Sequence, residues 1–478
     1  MPASMRPAAA TARAVSSFSQ RGKGSEWIGE DYTMKQEFCD NLAKVVPAAW
    51  KTHIRRIPAV EAFLNTAERR RMEEEYRQRR DKYHHVARER GLVYDEETVT
   101  ALIRARLRDR GYRPIPRRIG ELHTFAVIPM VSWHRHLLPD LRELGPLTLF
   151  DYTSLGYRVE DMLRADGNTL CLRRELMELL WAKLSETHAR RPVDWVFCYA
   201  GGKDNSAALY RRITDELGIP TVNISLDDKH CWTGPWMGDH HSGAVGLTAA
   251  FDLFVTSSRV SCEWHMVEGG RPIYMPEGFD ASTYRPRSGP RDIPVSFIGA
   301  AYGFRPAVIE FLRTRGISVE AFGQGWPGNG YAEDPVGIYN RSIINLGMGG
   351  IIGSEELTSV KGRDFEVTGT GGGVYVTSYN PDLARHFSVG EEILCYSTRD
   401  EMLEIVRDCL ARPDECREIA RKARERCVSE HRWLHRYMKM LEILGIFPEE
   451  SVRTTGRGPR RDEISDHPVG TAEGGRAA

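Results

Sequence analysis

The chain has no excess charge of either sign: 66 Lys and Arg balance 66 Asp and Glu over 478 residues. Zero formal net charge removes the global field on which binding to nucleic acid or an anionic membrane depends. The nine cysteines contain no CxxC pair, so neither a disulfide framework nor a zinc ribbon is indicated, and a reducing cytoplasm suits them. No apolar run is long enough to span a bilayer, so no membrane span is expected. The opening residues, MPASMRPAAATARAVSSFSQRGKGS, lack the continuous apolar core of a signal peptide; residues 1–31, and likewise the tail 449–478, read as disordered. A phosphate loop is absent too. Gly201, Gly202 and Lys203 follow a strand and precede a helix, but they do not fit the Gly-x4-Gly-Lys-Ser/Thr spacing and read as a turn facing a cleft.

What is present falls into three textures. Residues 32–120 are helical and densely charged, as in AERRRMEEEYRQRRDKYHHVARERG. Opposite charges three and four apart support an exposed helix face, which favours a solvated surface over a site for an acidic partner. This is a helical appendage suited to covering a neighbouring domain or to pairing two chains as a homodimer. Strands then alternate with helices, the signature of parallel sheets covered on both faces. Strands at HTFAVIPM, LTLFDY, DWVFCYA, PTVNISL, DLFVTS and PIYMP, with helices at 136–144, 172–188, 206–217 and 260–269, make a first domain at 121–277. MPEGFDASTYRPRSGPRDIP loses all periodicity and reads as an interdomain connection, with the linker at 278–292. A second series fills 293–448: VSFIGA, a helix at 305–315, VEAFG, a helix around 337–344, VYVT, ILCYS, and helices at 399–410, 414–429 and 431–444. The fold class is α/β, two tandem Rossmann-like doubly wound domains. Their ligands are expected in the cleft, at the carboxyl ends of the strands.

One stretch of the second domain carries chemistry. KGRDFEVTGTGGGVYVTSY, residues 361–379, reads as a short helix bearing Lys361, Arg363, Phe365 and Glu366, broken by glycines 369 and 371–373, then a buried strand. Two cations, a carboxylate and a glycine turn suit a nucleoside diphosphate: the cations offset phosphate charge, glycines admit close backbone N–H groups, and the carboxylate accepts both ribose hydroxyls. An ordinary helix-to-strand connection with solvated charges fits the same residues.

The order of FIGAAYGFR (297–305), IYNRSIINL (338–346), KGRDFEVTGTGGGVYVTSYN (361–380), VGEEILCYSTRDEMLEIVRDCL (389–410) and the terminal REIARKARERCVSEHRW resembles the GT-B glycosyltransferases, most closely the group-1-like subgroup with CgeB-type spore-maturation proteins. FDLFVTSS followed by YMPEGFDASTYRP is similar to the way these proteins leave their first domain. The resemblance implies a glycosyltransferase. A sugar would move from a nucleotide diphosphate sugar, with UDP or dTDP favoured, to an unidentified acceptor, with no cofactor beyond that co-substrate and no metal. It implies that Glu366 accepts the ribose hydroxyls, that Lys361, Arg363 and Arg305 meet the diphosphate, that Gly299 and Gly303 open the loop it approaches, and that Gly371 and Gly372 bring backbone amides near phosphate or sugar. The chain departs from the retaining pattern of two glutamates eight apart: Thr358 stands eight before Glu366, and Glu355 and Glu356 are at the wrong spacing. Retention or inversion stays open.

An inverting transfer needs a base near the acceptor. The loop after the first strand, MVSWHRHLLPD, offers His134 or His136, and His134 is chosen because it is nearer the strand end. The loop DDKHCWTGPWMGDHHSG supports three readings. Trp232 and Trp236 stack on an acceptor, with Asp228 or Asp227 as an alternative base; or Asp227, Asp228, His230, Cys231, Asp239, His240 and His241 hold a metal, without recognisable spacing; or the loop is only polar. The acceptor reading is preferred. Two rivals remain: a nucleotide-sugar 2-epimerase on the same architecture, and a non-catalytic nucleotide-sugar-binding scaffold whose helical region recruits a partner.

Overall fold

Short β-branched and aromatic runs build two parallel sheets, each with helices packed on it. The structure is a computed structural model that describes residues 58–158, 167–328, 330–351, 354 and 356–447. The segments 1–31 and 449–478, expected to be disordered, lie outside the described residues. The chain clusters into a unit Met1–Ala67, of which only the start of one helix is described, and a unit Glu68–Ala478, to which every contact below belongs.

The first sheet has the order β2-β1-β3-β4-β5-β6, with β1 (Thr124–Val127), β2 (Leu147–Phe150), β3 (Trp195–Cys198), β4 (Thr221–Ser225), β5 (Leu253–Thr256) and β6 (Pro272–Tyr274). The second has the order β11-β10-β9-β7-β8, with β7 (Ile293–Ile298), β8 (Val319–Phe322), β9 (Ser342–Leu346), β10 (Val374–Ser378) and β11 (Leu394–Tyr396). All pairings are parallel, as in β1 with β3, where Ala126 sits opposite Phe197. The inner strands, such as β1, β3 and β5, are buried on both faces, which is why they read as continuous apolar runs rather than alternating ones. The two-domain α/β expectation therefore holds.

β9 is a correction. Residues 337–344 read as one helix, whereas the helix Pro335–Arg341, capped by Asp334 accepting from the Gly337 N–H, stops before the central strand Ser342–Leu346. The apolar spacing runs unbroken through the boundary, and burial between β7 and β10 claims Ile344 and Leu346 for the sheet.

The helical appendage covers its neighbours. In the helix Glu96–Asp109, Val99, Ile103 and Leu107 form one buried face against the first-domain core, after an N-cap in which Asp95 accepts from the Thr98 N–H at 2.8 Å. In the helix Pro58–Glu89, Tyr76 and Tyr83 share a cluster with Trp232 and Trp264 of the first domain and Ile351 and Leu357 of the second. Ser354 Oγ donates to Glu73 at 2.6 Å and Arg77 meets Glu356 at 3.3 Å, so this helix reaches both domains.

The second domain also does not keep its last helix to itself. Trp433–Ile443 packs on the first domain, where Tyr437 Oη donates to the Leu137 carbonyl (3.0 Å) and Arg432 pairs with Asp140 (2.7 Å). Among the described residues no helix is long and apolar enough to cross a membrane.

Candidate functional site

In both sheets the strand order reverses beside the first strand, between β1 and β3 and between β7 and β9, and the loops leaving β1 and β7 are where such folds place ligands. The loop after β7 carries Gly299 and Gly303. Gly303 has φ +60°, a left-handed conformation that a side chain resists. The loop delivers Arg305 to the first turn of the helix Arg305–Arg313. Arg305 is 6% exposed. Its guanidinium lies 4.2 Å from the Tyr302 ring centroid and donates from Nη1 to the Ala300 carbonyl at 3.3 Å, while its Nε, buried, has no partner. Burial and the neighbouring Arg363 cation both weaken its hold on its proton.

The helix Gly362–Thr370 supplies the rest of this wall. Lys361 precedes it with extended backbone, the Lys361 N–H donates to the Asp364 carboxylate (2.9 Å), and Tyr375 of β10 donates to the other Asp364 oxygen (2.6 Å). A buried acid in the first turn suits the positive end of the helix. Phe365 packs among Phe387, His386 and His431, and Gly369 lets the Phe279 ring lie directly on the helix. Arg363 and Glu366, three apart, share a face. Burial works against the Arg363 charge, but Tyr339, Tyr375 and Glu366 outweigh it. Burial pushes the Glu366 carboxyl above the ordinary range, opposed by a hydrogen bond from Tyr284 and by Arg363. Its side chain is 20% exposed.

The facing wall comes from the first domain. His136 Nδ1 lies 3.5 Å from Glu366 Oε1, its ring stacks on Tyr284, and its Nε2 accepts from Arg135 Nε (2.9 Å). Burial, reinforced by Arg135, lowers its pKa to about 4, so the imidazole is neutral near pH 7. Lys361 Nζ meets Asp227 Oδ1 at 2.6 Å and the Leu226 carbonyl at 3.2 Å; burial opposes its charge, and Asp227 and Glu277 more than restore it.

The structure thus brings Gly299, Gly303, Arg305, Arg363, Glu366 and Lys361 to one cleft, with Lys361 already paired to Asp227. Other expected residues go elsewhere. His134, chosen over His136, donates from Nε2 to the Ile128 carbonyl at 2.9 Å and ties its own loop to β1. Gly371 caps the site helix at its C-terminal end with φ +66°, and a Cβ on Gly372 would collide with the Tyr339 carbonyl; these glycines serve backbone packing, away from the Lys361 end. Asp228 is buried, bonded to Ser225, to Thr256 (2.5 Å) and to His265 Nε2 (2.9 Å). Burial pushes its carboxyl up, but His265 and the two hydroxyls hold it below the ordinary range, so it is a core anion rather than a base open to substrate. Trp232 is 1% exposed and donates from Nε1 to Tyr83 Oη (2.9 Å), which leaves no ring face for an acceptor. Trp236, 55% exposed with its edge on His241, does offer one.

The loop's candidate metal ligands disperse. Asp239 pairs with Arg173 and His240, His240 Nε2 donates to the Gly202 carbonyl (2.9 Å), and His241 Nδ1 donates to the Gly234 carbonyl (3.2 Å). Among the described residues no three His, Cys, Asp or Glu side chains form a metal-holding group. The His240 bond also closes the Gly201–Lys203 turn.

Two contributors escaped the sequence reading, Glu277 and Tyr284, both on the connection MPEGFDASTYRP. Glu277 is 6% exposed, and a Cβ on Gly362 would lie 2.6 Å from its Oε2 and 3.8 Å from Glu366 Oε1, so both carboxyls flank one point of the site helix. Proline and glycine around them signal only a connection; nothing in the spacing marks a site.

No curated protein matches the chain. Among solved structures it is similar to a sucrose-phosphate synthase from Thermosynechococcus elongatus (12% identity, TM-score 0.47, covering 67% of this chain and 98% of that one). It is also similar to Anabaena HepE in complex with UDP and glucose (13%, 0.43, 67% and 99%) and to a UDP-GlcNAc 2-epimerase from Neisseria meningitidis bound to UDP-GlcNAc (12%, 0.35, 63% and 94%). At these scores the likenesses say nothing of donor or acceptor. Residues 305–442, from the arginine of the β7 loop through the site helix to the last helix, match the model of a family described as glycosyl transferase-like.

Proposed function

We propose that this cleft binds a nucleoside diphosphate sugar, with uridine or thymidine diphosphate favoured, and transfers its sugar to an acceptor entering past the first-domain loops. The observation that carries the reading is the buried Arg305, with an unpartnered Nε, next to the half-buried Arg363 and the mostly buried Glu366. A guanidinium desolvated without a full set of partners is held ready for an anion that brings its own acceptors. Arg305 and Arg363 take the diphosphate, whose growing charge as a leaving group is what such cations stabilise, and Glu366 takes the ribose hydroxyls. Lys361 joins the diphosphate only by leaving Asp227.

His136 replaces His134 as the base proposed for the acceptor, because it is neutral, faces Glu366 across the cleft and has its ring oriented by Tyr284; its Nε2 takes the acceptor proton only after Arg135 Nε has withdrawn from it. Trp236 is the remaining aromatic platform for an acceptor.

The test is calorimetric titration of a panel of nucleoside diphosphates into the wild type and Glu366→Ala. One nucleotide should bind and weaken by about 1–3 kcal/mol in the variant, the magnitude of hydrogen bonds lost to a buried ligand. Binding of none of the panel refutes the reading, and hydrolysis or epimerisation of the donor without acceptor turns it toward an epimerase.

A further inference from the structure

Glu277 stands where the cleft has least reason to hold another carboxylate. It lies on the segment that crosses between the domains, and that segment is fixed. Arg436 donates from Nε to the Pro276 carbonyl (3.0 Å) and from Nη2 to the Glu277 carbonyl (3.3 Å), and Phe279 forms a bridge with Arg432. The side chain is directed at the first turn of the site helix, beside Gly362, on the same flank as Glu366. The charged and titratable groups around it are Lys361 and Glu366 at the site helix, Asp227 from the loop after β4, Tyr199 just past β3, and Arg436 of the last helix, whose guanidinium lies on the Glu277 carbonyl. Glu277 therefore sits between two other carboxyls, Glu366 and Asp227, and shares Lys361 with Asp227, in a site that also holds two arginines, one of them with an orphaned buried nitrogen.

Three ionised carboxylates around a diphosphate would repel it, so the arrangement suits an anion only if one of them is a neutral acid. Burial selects Glu277. It pushes that carboxyl up to about 8, with Glu366 and Asp227 adding to the shift and Lys361 and the Gly362 N–H opposing it.

On the reading of the cleft as a nucleotide-sugar site, we infer that Glu277 is a donor-binding residue that enters the complex as a neutral carboxylic acid and donates its O–H to an oxygen of the bound diphosphate. A neutral acid at a helix N-terminus gives the anion a donor without displacing the favourable end of the helix. Ionisation of the same group removes the donor and adds a repelling charge, so affinity for the donor is coupled to one proton.

The experiment is titration of UDP-glucose and of dTDP-glucose into wild type, Glu277→Gln and Glu277→Ala between pH 6.5 and 9, where the diphosphate charge is constant and the base imide N–H, which begins to ionise only at the upper end, acts on all three proteins alike. Thermal unfolding of each protein confirms that it is folded. The wild type should lose about tenfold in affinity per pH unit once Glu277 ionises. Glu277→Gln, a permanent neutral donor that can also cap Gly362, should bind as the wild type does at pH 7 and show no such fall. Glu277→Ala should bind weakly at every pH. If wild type and Glu277→Gln share the same pH dependence, Glu277 only caps the helix and the inference is overturned while the donor site stands. If neither sugar nucleotide binds the wild type, both fall together.

Discussion

Arg305→Met separates a functional arginine from a structural one, because the two readings predict opposite balances of stability and binding. In the free protein the guanidinium gains a cation–π contact with Tyr302, about 1–2 kcal/mol when desolvated, and one long hydrogen bond to Ala300, about 1 kcal/mol. Against these stand its desolvation and the unsatisfied Nε, which costs about 1–3 kcal/mol. Methionine fills the space between Tyr302 and Phe297 with an adaptable apolar chain. The gains and losses nearly cancel, so unfolding should change by no more than about 1–2 kcal/mol in either direction. In the complex the same guanidinium meets the diphosphate, and loss of a desolvated charged hydrogen bond costs about 2–5 kcal/mol, a weakening of roughly thirtyfold to several thousandfold. Denaturant unfolding without ligand and calorimetric titration of the nucleotide that binds the wild type read the two quantities separately. A variant that loses more than about 3 kcal/mol of stability yet binds within threefold of the wild type would refute the reasoning and make Arg305 a core residue.

Other outcomes follow from the same geometry. Trp232→Ala should destabilise the fold by about 3–5 kcal/mol in denaturant unfolding, as removal of a fully buried indole does, and kinetic constants measured well below the unfolding transition should show no loss of acceptor affinity. His136→Gln should lower turnover while leaving nucleotide affinity within a fewfold. Because burial holds the His136 pKa near 4, the wild-type rate should show no imidazole limb between pH 6 and 7. The sign for stability follows: with a depressed folded pKa, what His136 contributes is present above its ordinary value of 6.5 and is lost as pH falls through about 4, visible in acid unfolding of wild type against His136→Gln. Gly372→Ala should destabilise by about 1–3 kcal/mol or more, since the added methyl meets the Tyr339 carbonyl, with nucleotide affinity retained in the folded fraction.

The site was legible in the sequence where charge and backbone need coincide along a few consecutive residues. Arg363 and Glu366 are one helical turn apart and share a face by spacing alone, and Gly303 precedes Arg305 at a strand-to-helix turn. In the structure Arg305 lies near Arg363, and Arg363 near Glu366. Trp232 and Asp228 show the opposite case. A tryptophan and an aspartate in a loop rich in polar residues look available, yet the helix Pro58–Glu89 lays Tyr83 against the indole, and His265, 37 positions later, claims the carboxylate. The choice between His134 and His136 also lay beyond the sequence. Both leave the same strand, and which one reaches the cleft depends on a carbonyl of that loop accepting from the first and on Glu366 and Tyr284 arriving beside the second.

The sequence by itself determined the alternation of strand and helix, the two-domain α/β layout and the helix Gly362–Thr370 with its charged face, because apolar periodicity, glycine turns and charge spacing are local properties of the chain. Tertiary structure alone decided which polar side chains are core and which are site. Burial, the partner on a distant strand and the identity of the facing wall are set by residues far apart in the chain, as when Glu277 on an unpatterned connection meets Glu366 on a helix 89 positions later.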